Sequence, residues 1–130
     1  MPRCPKCNVP LCRIEMGGIP VHSCPDCGGE LIEEMRLKGL ERRPDPTWTD
    51  ERRDELCRLA DQSNDPLRTV LCPECGRIMR KRLFRGYAHL QVDQCPQCRA
   101  YWLDRGEREK MQILFEESRA WYSEKDREEG

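Results

Sequence analysis

The chain has 130 residues, ten of them cysteine, so cysteine makes up about 8% of the composition, near the level that marks a scaffold held by cross-links or metal. Of the 37% hydrophobic residues, roughly 29% remain for an ordinary core once the cysteines are set aside, while 36% of the chain is charged against about 25% in a typical globular domain. A single large apolar core is excluded, and so is a membrane helix, because no uncharged apolar run approaches the ~18–20 residues needed. The start, Met1-Pro2-Arg3-Cys4, has no signal-type apolar stretch, so the expected setting is soluble and cytoplasmic. In that reducing compartment paired cysteines read as metal ligands or redox centres before they read as disulfides.

Taken along the chain, four copies of C-P-x-C appear: Cys4-Pro5-Lys6-Cys7, Cys24-Pro25-Asp26-Cys27, Cys72-Pro73-Glu74-Cys75 and Cys95-Pro96-Gln97-Cys98. Sixteen residues separate the first two pairs, nineteen the last two and forty-four the couples, so the chain holds an imperfect internal repeat. In the first repeat, residues 1–40, Ile14 and Met16 and then Ile19 and Val21 flank Gly17-Gly18 as a short hairpin. Residues 41–69 form a linker marked by Pro44 and Pro46. Within it, Thr49-Asp50-Glu51 starts a helix over about 50–62, with Leu56, Cys57, Leu59 and Ala60 as its thin apolar face, and Ser63-Asn64-Asp65-Pro66 ends it. In the second repeat, 70–104, alternating residues from Ile78 to Arg85 meet Ala88, Leu90 and Val92 across Gly86-Tyr87. Asp104-Arg105-Gly106-Glu107 has capping-box spacing and opens a C-terminal amphipathic helix within 105–130, whose charged end from Glu124 frays.

The C-x2-C spacing lets one tight turn aim two sulfurs at one ion, and two such turns complete a tetrahedron of thiolates. The ligand sets are therefore Cys4, Cys7, Cys24 and Cys27, and Cys72, Cys75, Cys95 and Cys98, with one Zn²⁺ each. The residue after each pair needs a left-handed backbone, which suits Gly28, Gly76 and Asn8 and suits Arg99 less well. Lys6, Arg3 and Arg99 are placed to offset the thiolate charge. Four ligands leave no position for water or substrate, so these are structural sites. Disulfides, an Fe(Cys)4 centre with turns like those of rubredoxin, and a cross-braced pairing of alternate couples are the rival arrangements. Cys12, Cys57, His22 and His89 read as ordinary helix or strand residues.

The second repeat, with Cys72-Pro73-Glu74-Cys75-Gly76, Cys95-Pro96-Gln97-Cys98 and the tail Tyr101-Trp102-Leu103-Asp104-Arg105-Gly106-Glu107, resembles the TFIIB-type zinc-ribbon family. The first, from Cys4 to Gly28-Gly29, is similar to the same family, although Glu30 to Met35 departs from the tail. The resemblance implies a small metal-stabilised α+β fold: two zinc ribbons, each a β-hairpin with paired C-P-x-C knuckles, joined by a helical linker. It also implies a role in binding nucleic acid or protein, and no catalytic chemistry.

Eight thiolates and two divalent ions take the formal charge from −1 to about −5, which disfavours indiscriminate nucleic-acid binding. Locally, Arg77, Arg80, Lys81, Arg82 and Arg85 crowd the second hairpin beside Phe84 and Tyr87, a combination that grips phosphate and stacks on bases. Met111, Leu114, Phe115, Trp121 and Tyr122 form an apolar helix face that either packs on Leu56, Leu59 or Trp102 or meets a protein partner or a second copy of the chain. The expected function is a non-enzymatic, zinc-binding adaptor or regulator that binds protein. Nucleic-acid binding through the basic hairpin 77–87 is the first alternative, and a rubredoxin-like iron carrier the second. Neither a membrane nor a small-molecule substrate is expected.

Overall fold

A computed structural model describes residues 2–42, 48–63, 67–84 and 90–129, with side chains of the last helix to residue 118. The elements run β1 (Cys12–Met16), β2 (Ile19–Ser23), β3 (Glu30–Ile32), α1 (Glu34–Glu41), α2 (Asp50–Ser63), β4 (Arg80–Leu83), β5 (Gln91–Gln94), β6 (Tyr101–Leu103) and α3 (Glu107–Glu129). Both expected hairpins and both expected helices are present, and α2 follows the sequence reading closely. The linker prolines Pro44 and Pro46, the helix stop at 64–66 and the Gly86-Tyr87 turn lie outside the described residues.

The repeats do not form two sheets. All six strands join one antiparallel sheet in the order β1-β2-β3-β6-β5-β4, with β3 and β6 paired at its centre. Leu31 and Trp102 each stand four residues beyond the last cysteine of their repeat, and they face each other. Glu30 faces Leu103 and Ile32 faces Tyr101. Equivalent positions therefore pair around a local two-fold axis through Leu31 and Trp102, the arrangement of an isologous dimer interface built into one chain.

Strand alternation sorts the core onto two sides of this sheet. Leu31 and Trp102 join Leu11, Val70, Met79, Ala100 and the buried cysteines Cys4, Cys24, Cys72 and Cys95 on one side. Their neighbours Ile32 and Leu103 join Val21, Leu37, Leu40, Phe84, Leu90, Val92 and Met111 on the other, beneath α1 and α3. The eight residues of α1 carry only Leu37 and Leu40 as buried apolar side chains, too few for a helical periodicity to show in the sequence. Trp102 is wholly buried and sits against Gly29 so closely that a Cβ there would lie 2.2 Å from its ring. The symmetry-related pair is Leu31 with Ala100, a smaller side chain facing a larger one.

The α2 helix packs on α3. Gly106, at φ +86°, lets the backbone of α2 approach, since a Cβ there would meet Ala60 N at 2.8 Å and Leu56 O at 2.9 Å. Lys110 to Asp61, at 2.7 Å, and Arg53 to Glu116, at 2.9 Å, fasten the two helices. Thr49 caps α2 by accepting from the Arg52 N–H at 3.1 Å. Half of the expected capping box forms at α3: the Glu107 carboxylate accepts from the Asp104 N–H at 2.9 Å. Asp104 itself turns to the Trp102 indole N–H and to Lys6 of the first repeat.

This packing corrects part of the expected partner surface. Met111 is fully buried in the chain's own core and Leu114 packs against the same cluster, while Phe115 is half-buried. Met111 and Leu114 belong to intramolecular packing because they join the cluster formed by α1 and the sheet. The side chains of Trp121 and Tyr122 lie outside the described residues. Among the described residues no helix is long and apolar enough to cross a membrane.

Two outcomes follow for stability. Gly29→Ala forces the Trp102 ring to move and is expected to cost about 1–3 kcal/mol. Adding Trp102→Leu recreates the Leu31–Ala100 arrangement of the other half, so the double variant should be more stable than the sum of the single changes allows, as read from urea midpoints. Burial, with the neighbouring Asp104 charge, pushes the Glu107 carboxyl up to about 8 despite its N–H donor. A carboxyl raised in the folded state favours folding at low pH, and the benefit is lost as pH rises from 4.5 through 8. Glu107→Gln keeps the acceptor without the charge. Its stability relative to wild type should grow between pH 6 and 8, and a constant difference would contradict this account.

Candidate metal centres

Each C-P-x-C segment closes the same way. The first cysteine of each donates its N–H five residues ahead, to Val9, Gly29, Arg77 and Ala100 carbonyls at 2.8, 2.8, 2.8 and 3.0 Å. Its own carbonyl accepts from Asn8, Gly28, Gly76 and Arg99 N–H groups at 2.9, 3.0, 2.8 and 2.9 Å. This closure requires a left-handed residue after the second cysteine, and all four comply, with φ +56° at Asn8, +76° at Gly28, +77° at Gly76 and +61° at Arg99. Arg99, the poorest fit by residue type, pays about 1 kcal/mol for that conformation. Its guanidinium meets Glu34 of α1 at 2.8 Å, across the β3–β6 junction.

The knuckles bring Cys4, Cys7, Cys24 and Cys27 together, and likewise Cys72, Cys75, Cys95 and Cys98, with the four sulfurs of each set within 4.8 Å of one another. Pairing is local, not cross-braced. Cys4 and Cys27 sulfurs are 3.6 Å apart and those of Cys75 and Cys95 3.5 Å. A tetrahedron with metal–sulfur bonds of about 2.3 Å has edges of about 3.8 Å, so the spacing fits zinc.

Backbone donors support the sulfurs. Lys6 and Cys7 N–H groups reach Cys4 at 3.3 Å, Cys27 N–H reaches Cys24 at 3.5 Å, Gly29 N–H reaches Cys27 at 3.4 Å and Cys98 N–H reaches Cys95 at 3.3 Å. Burial alone would raise Cys95, but the N–H groups of Cys98 and Gln97 outweigh it and hold the thiol at about 7; Cys24 is lowered for the same reason. Cys27, pushed up by burial, and Cys98, pushed up first by its neighbour Cys75, both rise to about 12. Four thiolates so close repel one another, and a dication is what reconciles them.

The cations assigned to the thiolates have other partners. Lys6 pairs with Asp104, Arg3 donates to the Asn8 carbonyl at 2.8 Å and Arg99 to Glu34. Cys12 is exposed, Cys57 half-buried with its thiol raised by burial, and His22 pairs with Leu31 in the sheet; none joins a four-sulfur set.

Of the expected nucleic-acid contacts, Arg77, Arg80 and Arg82 are exposed. Lys81 is tied to Asp93 at 2.9 Å, and Arg82 donates to Gln94 at 2.6 Å. Phe84 is no stacking platform: it is buried, edge-on to Tyr101 at 5.6 Å. Arg85, Tyr87 and His89 lie outside the described residues. Sequence reasoning missed Arg99 as a member of this group. With Arg80, Lys81, Arg82, Gln94, Cys95 and Pro96 it lines a groove of about 480 Å³ beside the second centre.

Hairpins carrying two two-sulfur knuckles that together make one four-sulfur site define zinc ribbons, here two in tandem with one Zn²⁺ each. When bound, each ion supplies a cross-link between knuckles, with all four of its positions filled by this chain's cysteines. The transcription factor zinc-finger family, of TFIIB type, matches twice, over residues 3–42 and 71–112, and the chain belongs to that family. Neither the curated proteins nor the solved structures yield a significant match.

Elemental analysis should give two zinc ions per chain, falling to one with Cys4→Ser or Cys95→Ser and staying at two with Cys12→Ser or Cys57→Ala. Loss of an ion in either of the last two variants would show that the ligand sets are misassigned.

Proposed function

We propose that the chain is a non-catalytic recognition protein that grips the phosphate backbone of a nucleic acid with its second ribbon. The observation that carries this reading is the groove beside the second centre, which the exposed residues Arg80, Arg82 and Arg99 line together, Arg82 also donating to Gln94 and Arg99 to Glu34. A guanidinium presents a planar fork of donors that matches a phosphate, and it stays charged at any physiological pH. With the whole metallated chain near −5, net charge alone does not hold a polyanion, which favours a positioned contact at this face over indiscriminate binding. Membership of the transcription factor zinc-finger family agrees with that role. The closed metal sites argue against catalysis, and eight ligand thiols argue for a reducing compartment such as the cytoplasm.

A protein-interaction platform is the second reading, and a different surface favours it. The α3 residues Met111 and Leu114 serve the core, but Leu67, Leu71 and Ile78 are 92%, 51% and 65% exposed, and Leu71 and Ile78 face each other in a β-bridge around the knuckle of the second ribbon. Apolar side chains left in water together suit a protein partner.

The two readings separate in one comparison. Arg80→Ala, Arg82→Ala and Arg99→Gly combined, the glycine chosen to suit the left-handed backbone, should reduce oligonucleotide affinity and flatten its dependence on log salt by about 2–3. Leu71→Ser with Ile78→Ser should leave that binding unchanged. Absence of oligonucleotide binding at low salt removes the first reading, and partner capture that is insensitive to salt but lost in the serine variant supports the second.

A further inference from the structure

The two four-cysteine centres share a backbone and differ in how their outer sulfurs are protected. In the first, Cys7 and Cys27 are half-buried; in the second, the equivalent Cys75 and Cys98 are exposed. The Arg105 side chain lies over Gly28, where a Cβ would meet it at 3.2 Å, and the Gly29 N–H reaches Cys27. In the second ribbon nothing lies within 4 Å of a Cβ at Gly76, the residue after Cys75, and among the described residues no backbone N–H reaches Cys98 as the Gly29 N–H reaches Cys27. Held as thiolates by the metal, these exposed sulfurs are accessible nucleophiles, and a thiolate with no donor on it keeps more of its intrinsic nucleophilicity.

We infer that Cys75 and Cys98 form an oxidation site for hydroperoxides, and that its reaction opens the second zinc centre while the first stays closed. Their sulfurs lie within 4.8 Å, close enough to react in sequence without refolding. One thiolate attacks the peroxide oxygen and becomes a sulfenic acid, while the O–O bond breaks and the peroxide leaves as an alkoxide or hydroxide that takes up a proton. The other thiolate attacks that sulfenic sulfur, a disulfide forms, and hydroxide departs. Two electrons pass from the two sulfurs to one peroxide. Cys72 and Cys95 then remain as two ligands where a tetrahedral site needs four. The second knuckle, Cys95 to Arg99, is one wall of the basic groove, so oxidation would also release a bound polyanion; this last consequence rests on the proposed function.

The test uses the full zinc-loaded chain, with the Cys12→Ser chain alongside to remove the other exposed thiol. Hydrogen peroxide is added in modest excess, released zinc is followed with a colorimetric chelator, and thiols are mapped by alkylation and mass spectrometry. One of the two ions should be released at least about tenfold faster than the other, with a Cys75–Cys98 bridge as the product and recovery on adding a dithiol and zinc. Release of both ions at one rate, or first modification at Cys7 or Cys27, would overturn the inference. Oligonucleotide binding measured at the one-ion stage should be lost; if it persists after the bridge has formed, the groove assignment fails and the oxidation site stands.

Discussion

Four thiolates cannot share a space less than 5 Å across unless a cation holds them, and a chain this poor in apolar residues cannot fold two hairpins without such a clamp. Structural zinc contributes on the order of 10–16 kcal/mol in small finger peptides, more than the net stability of most domains. Everything else in the molecule is arranged around that dependence. The buried cysteines Cys4, Cys24, Cys72 and Cys95 are core residues in their own right, packed with Leu31 and Trp102, so the metal cages and the apolar core on that side of the sheet are one structure.

The junction of β3 with β6 makes a single body from two repeats. Each strand is only three residues long, too short to stand alone, yet paired about the Leu31–Trp102 axis they let each hairpin extend the other's sheet. The symmetry of the scaffold frees its positions to diverge. Gly29 and Trp102 on one side answer to Ala100 and Leu31 on the other, His22 stands where Asp93 stands, and Gly28 where Arg99 stands. Cross-repeat ion pairs, Lys6 with Asp104, Arg99 with Glu34 and Arg108 with Glu30, lock the halves and have no symmetric copies. Arg80, Arg82 and Arg99 line a groove beside the second centre, and that centre also carries the exposed sulfurs Cys75 and Cys98.

Much of this was legible in the sequence because it is local. The spacing of C-P-x-C fixes the ligand sets, glycine after a knuckle announces a left-handed turn, and Thr49 marks the start of α2. What was not legible depends on contacts distant in the chain. Nothing in Glu30 to Ile32 or Tyr101 to Leu103 states that they pair, since three residues are too few for an alternation to speak. Phe84 looks like an exposed aromatic beside arginines until Tyr101 and Leu90 cover it. Lys6 looks like a counter-ion for sulfur until Asp104 arrives from the other repeat. Arg99 is in a conformation that its side chain disfavours, and only Glu34, sixty-five residues away, explains how it is held.

The most direct measurement is amide hydrogen exchange on the metal-free chain as zinc is titrated back, read at the central strands. The account requires residues 30–32 and 101–103 to be unprotected without metal and to gain protection together as the second ion binds, because the junction needs both hairpins in place. Protection of these amides in the metal-free chain, or protection of one strand with the other left open, would contradict it.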